Sequence, residues 1–176
     1  MESIIGVVAS LVGVFVGASL TRRASDNQRR LTVTFDLHRE LHGPELMRAR
    51  HAAAEQIAQH PDLDYQELRE LLGFTGMSDL RQVIYFFQRL WLAIEFGALQ
   101  EDYVPRLFGD TFSWWYDTTF RSMLVPTGTE LAQDISALHD WLVDHSTEEQ
   151  QQRWRGADPD TWRRRDPQDP DPDTPH

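Results

Sequence analysis

Three groups of residues have types and spacings that could do chemistry. His38 and His42 stand four apart. On a helix that places both imidazoles on one side, where they could share a metal ion. Glu40 lies between them and points elsewhere, so the pair lacks the H-E-x-x-H arrangement of zinc peptidases. A third ligand has to come from Glu45, His51 or another element. The second group centres on Glu95, in the run Trp91-Leu92-Ala93-Ile94-Glu95-Phe96. A carboxylate buried among such neighbours needs a cationic or hydrogen-bonding partner, or it keeps its proton. Arg89 and Arg121 are the nearest cations by sequence, and Gln88 precedes Glu95 in a seven-spaced row of Arg81, Gln88, Glu95 and Asp102. Gln88, Arg89, Glu95 and Arg121 are therefore expected to be buried polar groups. Glu95 is either an acid/base or ligand-gripping group or, the favoured reading, half of an ion pair locking two helices. The third group, His139-Asp140 with His145, suggests a triad, but no G-x-S-x-G or comparable nucleophile turn accompanies it.

The missing residue types exclude more. With no cysteine there are no disulfides, thiolate zinc sites or cysteine nucleophiles. All 17 basic residues are arginine, which removes Schiff-base lysines and the phosphate-binding lysine of nucleotide loops. No catalytic constellation remains, and no enzymatic activity, metal or cofactor is expected.

The elements that would position these groups begin with Ile4 to Leu20, seventeen residues without a charge and with only Ser10 and Ser19 polar. As a helix this run spans roughly 26 Å, near the short end for crossing a bilayer. The chain starts Met1-Glu2-Ser3, unlike the basic start of a cleaved signal. Arg22, Arg23, Arg29 and Arg30 follow the run and no Arg precedes it, so the positive-inside bias puts the N-terminus outside and the body in the cytoplasm. Gly6, Ser10, Gly13 and Gly17 form a small-residue face suited to self-association in the bilayer.

Beyond the run, nothing stops a helix before Gly43-Pro44, and Leu31, Phe35, Leu37, His38, Leu41 and His42 give it an apolar stripe weakened by Thr32-Val33-Thr34. A helix over about 44–59 should bury Met47, Ala54, Ile57 and Ala58, with Leu46 at the edge. A short helix capped in Pro61-Asp62-Leu63-Asp64 should end at Gly73. Ser78-Asp79 should cap the central helix, which runs to about Ala98 with Leu80, Val83, Ile84, Phe87, Leu90, Trp91, Ile94 and Ala98 inward. Gln100 to Phe108 reads as a short helix. Asp110 is placed as the cap of the next, whose stripe is Phe112, Trp115, Thr119 and Met123. After Pro126 and Gly128, Thr129-Glu130 opens a last helix with Leu131, Ile135, Leu138, Leu142 and Val143 inward. No segment alternates like a strand.

The expected architecture is all-α. A transmembrane anchor (1–21) continues through a juxtamembrane helix (22–43) into an irregular helical bundle (44–150), and an Asp/Pro-rich tail (151–176) is expected to be disordered. Trp154 and Trp162, set among Arg153, Arg155 and Arg163 to Arg165, are either a short docking motif for a protein or lipid surface or, the favoured reading, incidental tryptophans in a solvated tail. Residues 31–150 hold eight arginines against twenty acids, a charge that disfavours nucleic acid.

Arg22-Arg23-Ala24 with the helix after it, Val83-Ile84-Tyr85-Phe86-Phe87-Gln88 through Ile94-Glu95-Phe96-Gly97-Ala98-Leu99, Trp114-Trp115-Tyr116 and Phe120-Arg121 together resemble the bacterial and phage family called domain of unknown function 4760, over roughly residues 5–145. In that family glutamate often follows the aromatic pair, where this chain has Gln88. The resemblance implies a helical, membrane-tethered module and brings no activity, catalytic residue or cofactor. The expected function is a membrane-anchored interaction or scaffold module on the cytoplasmic face. Its partners would be the lipid bilayer, further copies of itself through the anchor, and an unidentified cytoplasmic protein. Two alternatives are a tethered effector or sensor in stress or phage-defence signalling, and an enzyme using Glu95 or a His38/His42 metal site.

Overall fold

The structure, a computed structural model, describes residues 25–156. Helix α1 covers 25–41, followed by α2 (Pro44–Gln59), α3 (Tyr65–Gly76), α4 (Ser78–Glu95), α5 (Val104–Trp115), α6 (Glu130–Asp144) and α7 (Glu148–Gly156). A short 3-10 turn (Glu101–Tyr103) precedes α5, and a π-helical stretch (Tyr116–Leu124) prolongs it. There is no strand among the described residues. None of their helices is long and apolar enough to cross a membrane. The predicted span, with its Gly6, Ser10, Gly13 and Gly17 face, lies outside the described residues.

Helix α4 is central, packed on α2 on one side and on α6 on another. Its buried stripe is Leu80, Val83, Ile84, Phe86, Phe87, Leu90 and Ile94. Phe86 and Phe87 both face inward because α5 supplies aromatic neighbours. Phe87 meets Phe112 edge-on at 5.1 Å and Phe120 at 6.0 Å, while Trp115 stacks on Phe120 at 5.7 Å. Each such pair contributes about 0.5–1.5 kcal/mol beyond the area it buries. The predicted stripe Phe112, Trp115, Thr119 and Met123 is buried throughout. Its extension as the pairs 115/116, 119/120 and 123/124 recurs every four residues. A 3.6-residue turn would rotate those pairs away from the core, and the wider i→i+5 turn of a π-helix holds them to it.

Several boundaries differ from expectation. On α2 the buried face is Leu46, Ala49, Ala53 and Ala54, while Met47 and Ala58 are exposed. Leu46, 3% exposed, heads the buried stripe of a helix that packs on α4, so the inward face is rotated from the predicted one. Ser78 and Asp79 make no cap: α4 follows Met77, itself buried, without a side-chain hydrogen bond at its start. Asp110 lies inside α5 rather than before a helix, because Phe108 and Phe112 are both buried and only an unbroken helix puts them on one face. Helix α4 ends at Glu95 rather than Ala98, where Gly97 takes a left-handed φ of 62° and its N–H donates to the Ile94 carbonyl at 2.8 Å. The Thr129 cap is present, its hydroxyl accepting from the Ala132 N–H. Val143, expected inward on α6, is exposed.

The first part of the expected tail is ordered. Residues Glu148–Gly156 form α7, and Trp154 packs partly buried against the core. Its ring covers Gly109 of α5 so closely that a methyl group there would run into it. A composition this polar hid the aromatic side chain that docks the helix, which Gln151 also ties to α6 by donating from Nε2 to the Val143 carbonyl at 2.9 Å. Residues 157–176 lie outside the described residues.

Candidate interaction surface

The structure separates the residues that the sequence grouped. Glu95 is exposed, and no ion pair forms on it among the described residues. The physical reason is the chain reversal at Gly97, which leaves the end of α4 uncovered just after Ile94. Arg89 is exposed too and pairs with Glu40 of α1, tying α1 to α4 at the surface. Arg121 is exposed on the π-helical stretch. Gln88 alone is half-buried, its Nε2 donating to Asp134 Oδ2 at 2.7 Å and so linking α4 to α6. These four are surface and interhelix contacts, not a buried network.

His38 and His42 do face each other, ring centroids 4.6 Å apart, and His38 also meets Phe108 edge-on at 5.9 Å. No group of three or more acids and histidines is placed to hold a metal among the described residues. Partial burial pushes the His42 pKa down, helped by the neighbouring His38 and Arg50 and opposed by Asp110. Arg50 is lowered by burial as well. Its Nη1 donates to the Leu41 carbonyl at 3.3 Å, capping the end of α1. His139 stacks on Tyr116 at 3.9 Å with Nδ1 3.1 Å from Asp140, and His145 stacks on Trp141 at 4.0 Å. Ser113 shares a groove with His139. No hydrogen bond joins the two, and Ser113 sits inside a helix with no turn to present it.

Trp154 divides two open grooves. One of about 850 Å³ is bordered by Asp102, Arg106, Asp110, His145, Glu149 and Arg153. The other, of about 610 Å³, is bordered by Ser113, Asp117, Arg121, His139 and Arg155. Both mix opposite charges and stand open to solvent on one side.

A polar side chain that the sequence reading passed over is structural. Thr34 of α1 is fully buried, donating to the Arg30 carbonyl at 2.8 Å and accepting from the Gln100 N–H at 3.0 Å. It pins the helix that follows the predicted span to the turn between α4 and α5.

Exposed apolar side chains occur at several places, among them Phe35 with Tyr103, Phe96 just after α4, and a group of three, Leu71, Phe74 and Tyr85, on α3 and the adjoining side of α4. Asp64 caps α3 through the Gln66 and Glu67 N–H groups, and Glu67 returns a bond to the Asp64 N–H. Helical φ/ψ then breaks at Gly73, with φ 67° and ψ −177°. That region is open essentially to glycine alone, and strained backbone of this kind concentrates at ligand-binding positions. The break turns Phe74 out to 77% exposure, beside Leu71 at 59%. Arg81 of α4 holds it there. Its Nη2 donates to the Phe74 carbonyl at 2.8 Å, and its guanidinium carbon lies 3.5 Å from the ring centroid. One turn along α4, Tyr85 is 51% exposed. Burial and the neighbouring Tyr85 push the Tyr65 phenol up, and Arg81 and Arg69 pull it back. Tyr65, Phe74, Arg81 and Tyr85 thus form one continuous patch. Aromatic side chains and arginine are the groups that anchor protein interfaces.

The sequence contained both signals, a glycine inside a helical pattern and a phenylalanine following it. Gly73 read as a helix end rather than as the support for an outward aromatic.

The chain matches no family model, no curated protein and no solved structure.

Proposed function

We propose that this chain is a membrane-tethered, non-catalytic interaction module whose helical body recruits a protein partner through the patch on α3 and α4. The observation that carries this reading is Phe74, turned to solvent by a backbone only glycine adopts and fixed there by Arg81. Folding gains little from an aromatic ring 77% exposed, and its immobilisation removes ordering entropy that a partner would otherwise have to offset.

The tether and its orientation rest on Ile4 to Leu20 with the arginines after it. Thr34 and the Arg89–Glu40 pair would then fix the body's attitude to the bilayer, because both act on the helix leading out of the span. Pairing of spans through Gly6, Ser10, Gly13 and Gly17 would raise the local concentration of patches and multiply weak contacts.

Hydroxyl-radical footprinting tests the reading. In intact cells Phe74, 77% exposed, should oxidise far more slowly than Phe96, which is 79% exposed and lies outside the patch. Equal oxidation of the two rings would overturn it.

A further inference from the structure

The ground around the patch is acidic. Asp62, Asp64, Glu67 and Glu70 are exposed and Asp79 is half-exposed. Against them stand only Arg69 and Arg81, and the Arg81 guanidinium is already committed to Phe74. The surface therefore combines open aromatic faces with an excess of carboxylates, two of which, Asp64 and Glu67, also hold the α3 cap, and its complement is a segment carrying an aromatic ring next to several cations. Such a segment exists in this chain and outside the described residues: Trp162-Arg163-Arg164-Arg165, in the twenty residues that follow Gly156.

The analogous sequence Arg153-Trp154-Arg155 shows what the motif does on this body. There the tryptophan seats against a helix while the arginines stay at the surface. Trp154 already occupies the Gly109 notch, so the second tryptophan needs a different receptor.

We infer that the patch on α3 and α4 binds this chain's own tail segment, with Trp162 against Phe74 and Tyr85 and with Arg163, Arg164 and Arg165 facing the acids of α3 and its cap. The inference rests on the interaction reading and names the occupant of that same surface. Arginines beside exposed carboxylates contribute modestly one by one, so three acting together and an aromatic contact are what make the pairing selective. The Asp-Pro runs on either side of Trp162-Arg165 carry the opposite sign and confine the attraction to those four residues.

The test is site-specific photo-crosslinking of the full chain in native membranes with Phe74→p-benzoylphenylalanine. The new side chain is aromatic and sits where the structure leaves space. Peptide mapping should join position 74 to the segment 157–176. That product should fall at least about tenfold when Trp162→Ala is combined with Arg163→Glu, Arg164→Glu and Arg165→Glu. It should also weaken several-fold as salt is raised past the range where exposed charges are screened. A product joining position 74 to another protein would overturn the tail assignment while leaving the interaction reading in place. Crosslinks to lipid alone, or none at all, would overturn both.

Discussion

Replacing Thr34 by Val keeps the shape of the side chain and removes its hydroxyl. The Gln100 N–H, 3.0 Å from that oxygen, then has no acceptor in a site where residue 34 has no exposure. A buried donor left unsatisfied costs about 1–3 kcal/mol. The lost bond to the Arg30 carbonyl adds little, because that carbonyl also belongs to the helix ladder. Thr34→Ser reverses the trade: the hydroxyl stays and one buried methyl goes, at roughly 0.8 kcal/mol for a group of that size. Thr34→Ala combines both losses, roughly 2–4 kcal/mol. At about 2–4 °C per kcal/mol for a chain of this size, the melting order should be wild type, then Ser, then Val, then Ala, with Val about 2–12 °C below wild type. Circular-dichroism melts of the full chain in mild detergent give the order, and hydrogen exchange at the Gln100 amide locates the effect. If Thr34→Val melts with the wild type, or Thr34→Ser melts below Val, then Thr34 is not the pin described.

Three further outcomes follow from the described contacts. Gly109→Ala should free α7: Ala favours the α5 helix by about 1 kcal/mol, but its methyl collides with the Trp154 ring, so amide exchange across Glu148–Gly156 should quicken while the main melt barely moves. Glu95→Gln should shift the melt by no more than about 0.5 kcal/mol in either direction, because the group is exposed, and a larger loss would mean a partner that the structure does not show. His42 is held below its ordinary pKa, so as pH falls below about 6.5 the unfolded chain takes up the proton first and stability declines; His42→Asn should flatten that decline in denaturant titrations at pH 7.5 and 5.5, and an unchanged slope would refute the assignment.

Much of the fold is legible in the sequence where a single rule decides. Pro44 marks the start of α2, Thr129 caps α6, and Phe112, Trp115, Thr119 and Met123 lie together in the core as their spacing demands. The failures occur where two local signals compete and tertiary packing chooses. Asp110 is a good cap residue, yet the burial of Phe108 and Phe112 requires the helix to run through it. Glu95 has apolar neighbours on both sides, yet Gly97 reverses the chain before any element covers it. Thr34 stood in a β-branched run that read only as weak helix, and its acceptor role depends on a turn sixty-six residues away. The patch escaped for a related reason. Gly73 signals a break in either reading, and only the packing of α3 on α4 decides that the chain resumes with Phe74 facing water and Arg81 against it.

The most direct measurement of the central claim separates binding from folding at the patch. Full-length chain carrying Leu71→Ser with Phe74→Ser is compared with wild type for melting temperature and for the species retained on gentle purification from membranes. Both side chains are more than half exposed, so the melt should stay within about 2 °C, the range of ordinary surface substitutions. The species retained by the wild type, whether the chain's own copies or another protein, should be lost. Retention unchanged at an unchanged melting temperature would contradict the claim that this surface is where the protein does its work.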